Sequence, residues 1–310
     1  MNFSEITNIN IPEGVVSKIT TLEGVVLWEK GWDIPDLPTP LANEIYYITI
    51  DGETAVIIPK GYNNRLVSNT YENGIGKMVF EKDIVDMEDF LIEYRKDFVA
   101  ISLPNHITKL GYYTQFNDCV NLKYIFLPKK LDYIGYELFR GCTSLEYYQV
   151  PKSIIEIEGR AFQDCTSLKK IILPDNLTTL AVTYNPINYD IITSSQSIFE
   201  GCTSLQNIII PDKVLFICPC CFQDCTSLKT VVIGNSVRVI MEKCFYYCES
   251  LHTIICKSQI APSLESNVFS NVGTKVPEGT PKVLKVPSGS TGYNTWLSKL
   301  KGFTIEYITE

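Results

Sequence analysis

Residues 162–174 read FQDCTSLKKIILP, and the chain returns to this phrase with small changes. Copies stand at 116–128 (FNDCVNLKYIFLP), 139–151 (FRGCTSLEYYQVP), 199–211 (FEGCTSLQNIIIP), 222–234 (FQDCTSLKTVVIG) and 245–257 (FYYCESLHTIICK). Phe116, Phe139 and Phe162 are 23 residues apart, as are Phe199, Phe222 and Phe245. The one irregular step, Phe162 to Phe199, is 37 residues, one period plus 14. Self-similarity at a fixed period of this length is the signature of a solenoid, in which each repeat is one coil stacked on its neighbours.

The shared template is F-x-x-C-x-x-L-x-x-I-x-[IL]-P-x-x-[VL]-x-x-I. The I-x-[IL] segment alternates as a strand does, and the following Pro, lacking an N–H, closes it. A second short extended run follows on another face, as in residues 154–157 and 237–240. Nothing in the period has helical spacing. In one coil Phe162, Leu168, Ile171, Leu173, Leu177 and Leu180 are expected to point inward. One coil cannot bury this set alone, because its two open sides need neighbours, so stability is shared along the stack. Aligning Phe80 with Leu103 adds a degenerate copy, with Phe80, Ile84, Met87, Ile92 and Phe98 at the apolar positions. Strand centres then fall near 79, 102, 126, 149, 172, 209, 232 and 255, giving a mainly β solenoid of about eight coils.

Outward from the array, residues 1–31 read as a small β module of short apolar runs broken by glycine. Residues 32–43 hold Pro35, Pro38 and Pro40 and read as a stiff linker. Residues 44–77 are expected to cap the array with a hairpin, strands at 45–50 and 55–58 turning at Asp51 and Gly52. Repeats fill 78–257, with the 14 extra residues at 182–195. The period then breaks, and 258–310 reads as an α/β C-terminal cap. There VLKVP (283–287) forms a strand, Trp296, Leu297 and Leu300 share one face of a short helix, and Phe303, Ile305 and Tyr307 alternate.

With net charge −8 and no basic cluster, the chain has no footprint for nucleic acid or an anionic membrane surface. It has no apolar run of membrane-spanning length, and its first residues lack the basic-then-apolar order of a signal peptide.

Eleven cysteines invite a metal or disulfide interpretation. Six of them, Cys119, Cys142, Cys165, Cys202, Cys225 and Cys248, hold one repeat position. Cys221 and Cys244 hold another, where Ala161 stands in its copy, and Cys256 replaces a strand leucine. Repeat position therefore explains them as small buried side chains, reduced and structural. Cys218-Pro-Cys-Cys221 is the anomaly, but no histidine lies near it to complete a zinc set. His106 and His252 are the only histidines, and both occupy positions that read as surface. No phosphate-binding glycine loop and no catalytic constellation is present, so neither a cofactor nor a metal is expected.

What remains is surface. Flanking each inward strand residue are Tyr124 and Phe126, Tyr147 and Gln149, Lys170 and Ile172, Asn207 and Ile209, then Thr230 and Val232, Thr253 and Ile255. The column from Phe126 through Gln149, Ile172, Ile209 and Val232 to Ile255 is nearly all apolar. Ordinary β propensity on an exposed sheet explains that column, and so does a partner-binding strip anchored by Tyr124, Phe126 and Tyr147. The inserted segment 182–195 contributes Tyr184 and Tyr189.

The FxxCTSLxxIxIP copies resemble the BspA-like, or treponemal-type, leucine-rich repeat over about residues 78–310. That resemblance implies a curved right-handed solenoid with a concave parallel sheet. It also implies a non-enzymatic adhesion or recognition module on a bacterial cell surface, binding a host or matrix protein. Residues 6–29, ITNINIPEGVVSKITTLEGVVLWE, also resemble N-terminal modules of phage structural proteins, which makes a virion component the alternative.

Overall fold

The structure is a computed structural model that describes residues 18–20, 26–29, 35–55, 65–87, 92, 94–110, 116–181 and 196–308. It divides into two units, residues 1–34 and 35–310. In the first, β1 (Lys18–Thr20) and β2 (Val26–Glu29) pair antiparallel.

The second unit opens with β3 (Glu44–Thr49), β4 (Leu66–Glu72), β5 (Ile75–Phe80) and β6 (Phe98–Ser102). Here the structure departs from the expected hairpin. Among the described residues β3 pairs antiparallel with β5 and with β6, and Ala55 lies outside any strand, while 56–58 fall outside the described residues. The hairpin is β4–β5, turning at Asn73 and Gly74, whose φ values are 51° and 81°. Asn-Gly tolerates two successive left-handed residues, which Asp51-Gly52 is not called on to do. Tyr47 anchors this sheet: it is fully buried, its hydroxyl donates to Asn69 Oδ1 at 2.6 Å, and it accepts from the Ala55 amide at 3.2 Å. A Cβ at Gly76 would stand 2.1 Å from the Tyr47 ring, so only glycine lets the ring lie there.

The degenerate first copy needs a second correction. Phe80, Ile84, Met87, Ile92 and Phe98 are all buried as expected. Its strand, however, is β5, and β3 stands between β5 and β6 in the order β4-β5-β3-β6-β7. An antiparallel strand wedged there takes β5 out of the parallel stack.

From β6 onward every coil strand runs parallel. β7 (Tyr124–Phe126) pairs with β6. A seven-stranded parallel sheet then holds β9 (Tyr147–Gln149), β11 (Lys170–Ile172), β13 (Asn207–Ile210), β15 (Thr230–Ile233), β17 (Thr253–Cys256), β19 (Val283–Pro287) and β20 (Thr304–Ile308). On the other side of the coils lie six two-residue strands, also parallel. They are β8 (Tyr133–Ile134), β10 (Glu156–Ile157), β12 (Thr179–Leu180), β14 (Phe216–Ile217), β16 (Val239–Ile240) and β18 (Ser263–Leu264). The protein is a β-solenoid of about eight turns. A four-residue helix α1 (Asn294–Leu297) packs Trp296 into its end, with Nε1 donating to the Pro262 carbonyl at 3.0 Å.

The turn between the two sheets explains the repeat's sequence. The repeat phenylalanines are fully buried and stack coil on coil from Phe116 to Phe269, with centroids 5.3 to 5.8 Å apart, ending on Trp296 at 5.4 Å. Each ladder cysteine amide donates to its own coil's Phe carbonyl, and from Cys142 onward each thiol donates to the Phe carbonyl one coil earlier: Cys142 to Phe116, Cys165 to Phe139, Cys225 to Phe199, all at 3.1 Å, while Cys119 donates to the Ile92 carbonyl. Around them the amides of Phe139, Phe162, Phe199 and Phe222 donate to carbonyls of the following coil.

Two residues per turn are left-handed, two before and two after the Phe. The later position alternates along the stack: Asp118, Gly141, Asp164, Gly201, Asp224. Left-handed geometry favours Gly and Asp, but the alternation has its own cause. A Cβ at Gly141 would lie 2.0 Å from Asp118 Oδ1, and one at Gly201 would lie 2.5 Å from Asp164 Oδ1. Asp118 and Asp164 each lean over the next coil, and there only glycine leaves room for the carboxylate.

Gly201→Ala should therefore lower stability by about 1–3 kcal/mol, from backbone strain plus the clash. Adding Asp164→Gly should recover part of it, and thermal melts of the four proteins in this cycle measure the coupling. Tyr148 takes an inward strand position held in other coils by Ile or Val, and its hydroxyl is buried without a hydrogen-bond partner among the described residues. Tyr148→Phe should raise the melting temperature, since an unsatisfied buried hydroxyl costs about 1–3 kcal/mol. A fall on this substitution would mean that the hydroxyl has a partner in solution.

Candidate recognition surface

The outward strand positions follow from the two-residue period. Ile125, Tyr148, Ile171 and Ile208 point into the core, at 7, 7, 3 and 1 % exposure. Their neighbours Tyr124, Phe126, Tyr147, Lys170, Ile172, Asn207 and Ile209 are half-buried, and Gln149 is exposed. The ladders put Tyr147 beside Lys170, Lys170 beside Asn207, and Gln149 beside Ile172.

Two sequence-based expectations change here. Among the described residues no ladder joins β7 to β9, so Tyr124 and Phe126 belong to the five-stranded sheet and the other six to the seven-stranded one. The apolar column is also shorter than expected. Val232 and Ile255 are only 1 and 3 % exposed, so the open strip ends at Ile209. In the ladder Val232 lies between Ile209 and Ile255, and β-branched neighbours on adjacent strands cover one another.

Tyr184 and Tyr189 lie outside the described residues, but both anchors of their segment are defined. Ala181 donates to the Ile157 carbonyl as Glu158 donates to that of Ile134, and Arg160 donates to the Gln196 carbonyl as Ser197 donates to that of Pro219. Ala181 and Gln196 therefore hold the places that Glu158 and Gly159 hold in the coil before. The ends of the insertion lie between β12 and the Phe199 turn, not on β11 or β13. Ala181 is left-handed, φ 68°, where its counterparts are not, which turns the chain out of register at that point.

Just before each strand is a further ladder position that sequence reading passed over as variable. It holds Lys123, Glu146, Lys169, Gln206, Lys229, His252 and Lys282, and along most of it each amide donates to a carbonyl of the coil before. Lys169 pairs with Glu146 at 2.6 Å, which raises the lysine pKa, and its Nζ lies 5.6 Å from the Tyr147 ring centroid. Burial and then the nearby Lys229 charge hold His252 below the usual histidine pKa. The signal was present in the repeat itself, as lysine at one template position in alternate copies.

None of the eleven cysteines is in a disulfide. Burial pushes the Cys119 thiol up to about 12 and those of Cys142, Cys165, Cys202, Cys225 and Cys248 well above the usual range. Thiols held protonated as donors are poor nucleophiles and poor ligands. Cys218 and Cys221 are buried and hydrogen-bonded to each other. Among the described residues no group of three or more His, Cys, Asp or Glu is placed to hold a metal ion. His106 and His252 are both half-buried rather than on the surface, and His252 Nδ1 lies 3.0 Å from Thr253 Oγ1. No helix among the described residues is long and apolar enough to cross a membrane.

Stacked 23-residue coils with a buried Phe, Cys and Leu ladder define a leucine-rich repeat protein. The chain matches the BspA type leucine rich repeat region, in six copies, over residues 85–185 and 183–278, and it belongs to that family. Among solved structures it is similar to a leucine-rich repeat protein of T. pallidum, with 26% identity, a TM-score of 0.49, and coverage of 68% of this chain and 87% of that one. A leucine rich cell surface protein of Faecalibacterium prausnitzii matches with 23% identity, a TM-score of 0.38, and coverage of 51% and 48%. A leucine-rich repeat protein from Bacteroides ovatus matches with 19% identity, a TM-score of 0.27, and coverage of 68% and 66%. No curated protein matches.

Deleting residues 182–195 should join Ala181 to Gln196 in register and leave the melting temperature within about 2 °C of the parent. A loss of cooperative unfolding would show that the segment supports the stack.

Proposed function

We propose that this chain is a non-enzymatic protein-recognition module, displayed at a cell surface. It holds a protein partner against the outward face of β9, β11 and β13, with Tyr124 and Phe126 of β7 beside them. The observation that carries this proposal is the set of half-buried Tyr147, Lys170, Ile172, Asn207 and Ile209, fixed in register by parallel ladders. An aromatic ring and aliphatic side chains held on a rigid frame lose little entropy on binding, and such groups anchor interfaces. Gln149 and Asn207 add polar groups between them, as interfaces require.

Capture of a partner by the immobilised full-length chain, followed by affinity measurement with purified partner, tests this. Tyr147→Ala and Ile172→Ala should each leave the melting temperature nearly unchanged, and the stronger of the two should cost on the order of 2 kcal/mol in affinity. Leu215→Ala and Phe216→Ala, exposed on the six-stranded side, serve as controls and should bind like the parent. Loss at Phe216 with none at Tyr147 would place recognition on the other sheet.

A further inference from the structure

The row of residues before the strands runs against the sign of the molecule. The chain carries net charge −8, yet this row holds Lys123, Lys169, Lys229 and Lys282 at every second coil, the last with its ammonium donating to the Gly273 carbonyl at 2.7 Å. Its one acid, Glu146, is neutralised by Lys169. Lys123 and Lys229 are exposed and make no ion pair among the described residues. The field of Lys229 is felt locally, since it disfavours a second positive charge on His252. Lys169 joins the row to the strand face, with its ammonium over the Tyr147 ring.

We infer that this row receives an acidic, extended polypeptide segment of the partner, lying across the coils beside the tyrosines. The inference rests on protein recognition at the seven-stranded sheet and adds the chemistry of what is recognised. Like charges kept in line with few acids between them repel one another, and an opposing row of carboxylates relieves that repulsion.

The spacing narrows the class further. Along the seven-stranded sheet adjacent strands are about 4.8 Å apart, so alternate coils set Lys169, Lys229 and Lys282 about 10 Å apart. A polyproline II segment rises about 3.1 Å per residue with three residues per turn, so it presents one face about every 9 Å. Aspartate or glutamate at every third position would meet the lysines in turn. Prolines between them suit Tyr124 and Tyr147, because proline-rich segments dock on aromatic-lined surfaces. A sulfated glycan would satisfy the charges but would leave the aromatic and aliphatic half of the face unused.

The test uses the full-length chain and a fluorescent peptide of four Glu-Pro-Pro repeats, with four Lys-Pro-Pro repeats as the opposite-charge probe. Anisotropy should show the acidic peptide binding at about 50 mM salt and weakening about tenfold by about 300 mM, as screening requires. The triple variant Lys123→Glu, Lys169→Glu, Lys229→Glu should lose at least about tenfold and gain affinity for the basic peptide. Reversing the exposed Lys129, Lys152 and Lys213, which lie after the strands, should change binding by less than about twofold. Melting curves of both triple variants separate lost binding from lost fold. Three results would overturn the inference: no binding of the acidic peptide at low salt, equal loss in the two triple variants, or a row that takes a sulfated oligosaccharide but not the peptide. If Tyr147→Ala weakens the captured protein partner while the lysine reversal does not, the recognition face stands and the acidic segment falls.

Discussion

Five of the six ladder cysteines donate their thiols to a phenylalanine carbonyl one coil earlier, and Cys119, at the head of the ladder, donates to the Ile92 carbonyl; these bonds tie each coil to the one before. The same phenylalanine carbonyl accepts the cysteine amide of its own coil, so both its lone pairs are used inside the core. A buried carbonyl left without a partner would cost free energy at every turn of the stack. Serine could donate here as well, but a hydroxyl surrounded by phenylalanine and leucine is dearer to desolvate than a thiol. The ladder thiols are therefore committed to carbonyls of the preceding coil, and burial keeps them protonated.

With the turns tied in this way, the coils rise in step and the side chains line up in columns. Phenylalanine stacks on phenylalanine, and aspartate alternates with glycine because the Asp118 and Asp164 carboxylates each occupy the space above the next coil. Columns also form outside. A residue type repeated in the sequence becomes a stripe on the surface, which is how scattered lysines become a charged row and three tyrosine and isoleucine positions become a strip. The coil interior is wholly committed to packing, which leaves these stripes as the surface on which the proposed recognition would act.

Where the period is broken, the break has a local physical cause. An antiparallel strand, β3, separates the first copy from the stack, and a Tyr47 ring resting on Gly76 holds that sheet together. The insertion at 182–195 is spliced between two ladder positions, and the coils on either side of it still pair, through Lys170 with Asn207 and Leu180 with Ile217. At Tyr148 the core accepts a ring in place of an isoleucine, beside a gap in strand pairing between β7 and β9. Ile125, Leu127 and Tyr148 are each 7 % exposed there, against 1 % for Ile208 and 0 % for Val231 further along.

The amino-acid sequence by itself determined the solenoid, the inward set and the alternation of strand faces. These depend only on spacing along one chain: a 23-residue period and a two-residue alternation survive any rearrangement of the ends. It also placed Tyr147, Lys170, Ile172, Asn207 and Ile209 outward, because each flanks an isoleucine or tyrosine that must be buried. Strand pairing at the N-terminal end was not legible, because an antiparallel partner can come from any distance and Asp-Gly and Asn-Gly signal turns equally well. Only the tertiary structure showed that β3 divides β5 from β6, and that Val232 and Ile255 are covered. Only the tertiary structure, too, tied the lysine row to the strand face, through Lys169 over the Tyr147 ring. Burial and charge proximity are properties of neighbouring coils, set by the rise and register of the stack, and no single copy of the repeat contains them.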